Sequence, residues 1–76
     1  MIPIYLDDKG CEISISQGIG GKKSDWLICR RKKTRSMQRI KSVQPIPFEH
    51  KEFAIKTLNA YASKKKYQFK ENRANL

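Results

Sequence analysis

The chain has 76 residues, with 17 Lys and Arg against 7 Asp and Glu and a formal net charge of +10. A chain this short holds one modest core, which leaves no material for a second domain, and no run approaches the roughly 20 apolar residues that a membrane span needs. So much unbalanced charge on a small body spreads a positive field over its surface and favours anionic partners.

Residues 2–6, IPIYL, predict a strand, with Pro3 restricting it to a sheet edge or a strand start. Such an edge is open to pairing with a second copy, so the oligomeric state is not set. In DDKG, residues 7–10, an Asp at the turn start and Gly10 for positive φ predict a hairpin turn closed by a glycine bulge. CEISIS, residues 11–16, alternates cleanly: Cys11, Ile13 and Ile15 point to a dry face, Glu12, Ser14 and Ser16 to a wet one. QGIGGKKSD, residues 17–25, lacks the spacing of a phosphate-cradling Walker loop and reads as a hairpin tip whose Lys22 and Lys23 reach outward.

WLICRR, residues 26–31, and SMQRIKSV, residues 36–43, predict a third and a fourth strand joined by KKTR, residues 32–35. In the third, Trp26, Ile28 and Arg30 share one face and Leu27, Cys29 and Arg31 the other. In the fourth, Met37, Arg39, Lys41 and Val43 alternate with Gln38, Ile40 and Ser42, which leaves the buried side open. Pro45 and Pro47 then end the strand and pre-set a helix, with Glu49 and Glu52 in its first turns and Lys64, Lys65 and Lys66 at its end, as the helix dipole favours. Ala54, Ile55, Leu58, Tyr61 and Ala62 form its apolar stripe, with Phe53 on the flank. Beyond Phe69 no periodicity is left. The expected organisation is one domain over residues 1–69 and a flexible tail over 70–76. The expected fold is α+β: a three- or four-stranded antiparallel sheet with one C-terminal amphipathic helix packed on one face.

The chemistry-bearing residues form no catalytic constellation. Cys11 and Cys29 lack Cys-x-x-Cys partners and His50 is the single histidine, so a zinc site is short of ligands. Without a secretory signal pattern, both thiols read as buried small hydrophobes in a reducing cytoplasm, although their pairing is not settled by spacing. Cys29 beside two arginines has no orienting base, and His50 beside Glu49 and Glu52 reads as a solvated surface residue. Neither an enzyme nor a cofactor is expected.

Nucleic-acid binding asks less, because an array of cations gains affinity from repeating phosphates without a pocket. Residues 22–41 hold nine basic residues and one acid, Asp25. The candidate contacts are Lys22, Lys23, Trp26, Arg30, Arg31, Lys32, Lys33, Arg35, Arg39 and Lys41. Arginine adds a planar fork that grips phosphate or a guanine edge. Trp26 has two readings, a core anchor or a stacking platform for a base, and the lysines at 64–66 read as a solvated face.

Short Arg-bearing strands with Trp ahead of RR, followed by the helix FAIKTLNAYA, resemble the arm-type DNA-binding domains of phage tyrosine recombinases and the plant ethylene-response-factor domain. The resemblance spans roughly residues 10–66. It implies a sheet inserted into the DNA major groove and braced by the helix, with Arg30, Arg31, Arg39 and Lys41 on the outer face. The extra N-terminal strand and the RRKKTR turn depart from that pattern. The expected function is therefore non-enzymatic binding of nucleic acid, double-stranded DNA before RNA. The alternative is a small phage-type accessory protein or inhibitor, for example of a CRISPR effector, that docks on an acidic protein surface.

Overall fold

Alternation of apolar and polar side chains organises the first half of the chain, and the computed structural model, which describes residues 1–17, 24–32 and 37–74, places strands where it runs. These are β1 (Ile2–Leu6), β2 (Glu12–Gln17) and β3 (Trp26–Arg31), followed by a short β4 (Gln38–Arg39), a helix α1 (Lys51–Lys65) and β5 (Gln68–Arg73). They form one antiparallel five-stranded sheet in the order β4-β3-β2-β1-β5. The α+β class is the one expected, with one strand more than the pattern predicts.

The additional strand comes from the segment expected to be a loose tail. Gln68–Arg73 pairs antiparallel with the whole of β1, with a bulge at Lys70 where Tyr5 faces Phe69 and Ile4 faces Glu71. β1 is therefore an interior strand and not the free edge that Pro3 suggested. The sheet accommodates this proline because the β1–β2 ladder extends over Tyr5↔Ile13 and Leu6↔Glu12 and stops short of Pro3. The N and C=O of a strand residue point to the same neighbour, so the missing donor lies where the ladder has ended. The Pro3 carbonyl there accepts the Ser14 hydroxyl instead, at 3.0 Å.

The turn from β1 to β2 is built by one side chain. Gly10 takes φ 79° and its N–H donates to the Asp7 carbonyl at 3.1 Å. Asp7 Oδ1 accepts the backbone N–H groups of Lys9 and Cys11, at 2.9 and 2.8 Å. A carboxylate that organises two donors at once is the short-side-chain chemistry that turns select.

On one side of the sheet lies the core: Ile13, Ile15, Trp26, Ile28 and Ile46 pack against Ala54 and Leu58 of α1, with Ile13, Ala54 and Leu58 fully buried. Ala54, Leu58 and Ala62, four apart, are the buried row of the helix, and the two alanines let its backbone approach the sheet closely. Ile55 and Tyr61 complete the predicted stripe at partial burial, whereas Phe53 is 61% exposed and stands outside the core. Tyr5 pins the helix to β1 by donating to Asn59 Oδ1 at 2.7 Å.

β4 is two residues long, but the chain beyond it keeps to β3. The Ile40 N–H donates to Ile28 O, and after a turn Ile46 exchanges two backbone hydrogen bonds with Trp26 at 2.7 and 2.9 Å. At its other end α1 closes with Lys66 at φ 61°, the Lys66 and Tyr67 N–H groups capping Ser63 and Ala62 carbonyls. That 6→1 and 5→2 pattern ends the helix and turns the chain into β5.

Candidate nucleic-acid interface

Strand register decides which cations share a face. The side of the sheet away from α1 carries three rows. The first runs Gln68, Leu6, Glu12, Arg31; the second includes Glu71, Ile4, Ser14, Cys29 and Arg39; the third includes Arg73, Ile2, Ser16 and Leu27. Long charged residues occupy the flanks of this face, and short or apolar ones the middle.

Of the expected contacts, Arg31 and Arg39 are brought together here, both exposed, on neighbouring strands and diagonal to one another across Cys29. Lys32 follows directly and is exposed; Lys41 lies in the turn after β4, also exposed. Among the described residues the acids that form ion pairs are Asp7, Glu12 and Glu71, and none of their pairs involves Arg31, Lys32, Arg39 or Lys41. Lys22, Lys23, Lys33 and Arg35 lie outside the described residues.

Two of the expected contacts sit elsewhere. Arg30 alternates away from Arg31 onto the helix side, where its Nε lies 3.1 Å from Asp7 Oδ2, a carboxylate whose side chain is 3% exposed. The N–H is not aimed along that line, so the contact is one of charge more than of hydrogen bonding. Burial pulls the guanidinium pKa down, but the Tyr67 hydroxyl and the Asp7 charge outweigh it and the net shift is upward. Arg30 thus ties the β1–β2 turn to β3 and to the end of α1, and the outer-face position implied by the resemblance does not hold for it. Trp26 is a core residue, 9% exposed, with Nε1–H donating to Phe48 O at 3.0 Å and its ring stacked on Phe48. Lys51 lies over the same ring at 5.7 Å from its centroid. Burial and these two neighbours make Trp26 an anchor of the core.

The sheet also supplies cations that sequence periodicity missed. Lys70 Nζ lies 2.6 Å from Glu12 Oε2, and both Arg73 Nη atoms lie 3.2 Å from the two Glu12 oxygens while Nη2 also reaches Glu71 at 2.8 Å. Hydrogen bonds from Arg73, then from Lys70, hold the Glu12 carboxyl at about 2, well below its ordinary 4.5, and the same bonds push Arg73 upward. Arg31, Lys32, Lys70 and Arg73 surround Glu12 in a depression of about 530 Å³.

A second depression, about 580 Å³, shares Glu12, Arg31 and Arg73 with the first and reaches past the sheet to Ile15, Trp26, Phe48 and Lys51 on the helix side. On the outer face it is bordered by Ser14, Ser16, Ile2 and Met37, with Ile4 and Cys29 buried beneath. Burial raises the Cys29 thiol pKa, with Arg39 opposing, so the thiol is held protonated and not activated. Both cysteines are free and buried, Cys11 at the start of β2 and Cys29 on the outer side of β3. His50 is exposed at the start of α1. Among the described residues no three metal-ligating side chains gather, and no helix is long and apolar enough to cross a membrane. Compared with family models, with curated proteins and with solved structures, the chain has no match.

Proposed function

We propose that this chain is a non-enzymatic nucleic-acid-binding protein that grips the phosphate backbone with Arg31, Lys32 and Arg39, supported by Lys41. The observation that carries this reading is the placement of Arg31 and Arg39 on one face of adjacent strands, neither in an ion pair among the described residues, with Glu12, the cross-strand neighbour of Arg31, engaged by Lys70 and Arg73. Two like charges so placed repel one another and are relieved by an anion that spans both. Double-stranded DNA is the reference ligand. Its backbone is the part engaged, because the residues at the centre of the face, Ser14, Ser16 and Cys29, are too short to reach base edges deep in a major groove. The free thiols suit a reducing, cytoplasmic setting.

The test is a salt titration of binding to random-sequence duplex, read by fluorescence anisotropy. Neutralising roughly five to eight phosphates gives a log–log slope of about −4 to −7. A slope near zero, or no binding at low salt, would reject the reading and favour docking on an acidic protein surface.

A further inference from the structure

On the helix side of the sheet, hydroxyls and cations from four separate segments converge at the end of α1. Tyr61, in the last turns of α1, and Tyr67, just beyond it, are half-buried with their rings edge to face at 6.0 Å. Lys65 Nζ stands 5.9 Å from the Tyr61 ring centroid. Arg30, from the end of β3, interacts with the Tyr67 hydroxyl, and Ser42, exposed in the turn after β4, with that of Tyr61. We infer that Arg30, Ser42, Tyr61, Lys65 and Tyr67 form a seat for a phosphate monoester. The seat lies across the sheet from Arg31 and Arg39, goes beyond the duplex-binding function and does not rest on it.

The fold accounts for only part of this cluster. The dipole of α1 favours Lys64, Lys65 and Lys66 at its C-terminal end, where the N–H groups of Lys66 and Tyr67 already cap carbonyls. It does not call for hydroxyls gathered on an arginine. Arg30 approaches Asp7 most closely through Nε, that carboxylate also serves the N–H groups of Lys9 and Cys11, and the Arg30 side chain stays 37% exposed. Arg30 pairs with no other acid among the described residues. Asp8 in the adjoining turn has Lys9 beside it, both exposed, and Glu49 and Glu52 lie at the far end of α1. What the five side chains share is donors. Burial, then the Tyr67 phenol, pushes the Tyr61 hydroxyl up against the opposing pull of Arg30 and Ser42, so it keeps its proton at neutral pH. A tetrahedral phosphate takes such donors from several directions, and a monoester brings three acceptor oxygens and a charge of about −1.5 to −2 at pH 7, which suits one arginine with one lysine. A backbone diester carries roughly half that charge.

The test is an NMR titration of the unaltered chain with inorganic phosphate, with sodium chloride at matched ionic strength as the control. Saturable shifts are expected at Ser42, Tyr61, Tyr67 and the Arg30 Nε–H, half-complete on the order of 1 mM, in phosphate alone. Tyr61→Phe removes one hydroxyl and keeps the ring, and should weaken phosphate binding roughly tenfold while leaving duplex affinity unchanged. Lys65→Gln, at an exposed position, should weaken it similarly. Adding a 5′-phosphate to oligo(dT) identifies the source: a gain in affinity that Tyr61→Phe removes assigns the end of a strand, and no gain, with glycerol 3-phosphate bound, assigns a small phosphate. Shifts that never saturate, that chloride reproduces or that spread evenly over the lysines would overturn the seat, as would full phosphate affinity in both variants, and the duplex reading would stand. Failure of the duplex alone to bind would reject that reading and leave the seat in place.

Discussion

The two halves of the outer sheet face hold similar side chains arranged to opposite effect. On the β1–β5 side, Lys70 and Arg73 interlock with Glu12 and Glu71, two positive charges against two negative ones. On the β3–β4 side, Arg31 and Arg39 make no ion pair among the described residues, and Glu12, which faces Arg31 across the ladder, is taken up by Lys70 and Arg73. The first arrangement staples a polar edge strand to its neighbours across the sheet; the second stores repulsion that a ligand relieves. A net charge of +10 does not distinguish a cation that holds the fold from one that awaits a partner. The ion pairs it forms do.

The largest effect should come from breaking the uncompensated half. Reversing both charges, Arg31→Glu with Arg39→Glu, is expected to weaken binding to duplex DNA by at least about thirtyfold at low salt and to flatten the log–log slope by about two units. Thermal unfolding should fall by only a few degrees, because neither side chain makes an ion pair among the described residues and the one new cost is a carboxylate at 31 facing Glu12 across the ladder. If the double variant binds as tightly as the original chain, the β3–β4 half is not the contact surface.

A sharper version uses adjacent residues. Arg30 and Arg31 are consecutive arginines on opposite faces, one against Asp7 and one in solvent. Arg30→Ala leaves a carboxylate with 3% side-chain exposure without its cation, although the N–H groups of Lys9 and Cys11 still hold it. The expected cost is about 2 kcal/mol, or roughly 10 °C in a domain of this size, with the salt slope of binding unaltered. Arg31→Ala should do the reverse, keeping the melting temperature and lowering the slope by about 0.9. Equal behaviour of the two variants in both assays would erase the distinction between the faces.

Much of this arrangement is legible in the sequence, and the missing parts share a cause. Alternation in CEISIS and WLICRR places Ile13, Ile15 and Ile28 in the core and separates Arg30 from Arg31. What alternation does not disclose is the partner, because Asp7 and Arg30 meet through strand order and not through local spacing. β5 is hidden for the same reason. QFKENR has no apolar periodicity of its own and is strand because β1 lies beside it, with Phe69 edge-on to Tyr5 at 5.7 Å and Arg73 reaching Glu12. Trp26 was ambiguous because a tryptophan next to arginines suits a core or a stacking surface equally; Ile46, closing over it from the turn after β4, settles the matter.

The smallest effect probes the compensated half through pH. Glu12 has its folded-state pKa lowered to about 2 from 4.5 by Arg73 and Lys70, so its ion pairs contribute stability that is fully present above about pH 4.5 and is lost as pH falls toward 2. The shift alone sets an upper bound, and Lys70 and Arg73 are 40% and 37% exposed, so solvent screens much of it. About 1 kcal/mol is a reasonable share for these pairs. Glu12→Gln should remove that acid limb from the stability profile. It should also leave Lys70 and Arg73 to share Glu71 alone, two cations on one carboxylate, and raise affinity for polyphosphate severalfold at neutral pH. Loss of acid sensitivity without gain of affinity would mean that the two cations are held by Glu71 alone and that the stapled half takes no part in ligand binding. An unchanged profile between pH 5 and 2 would mean that Glu12 is not the carboxylate that holds β5 to the sheet.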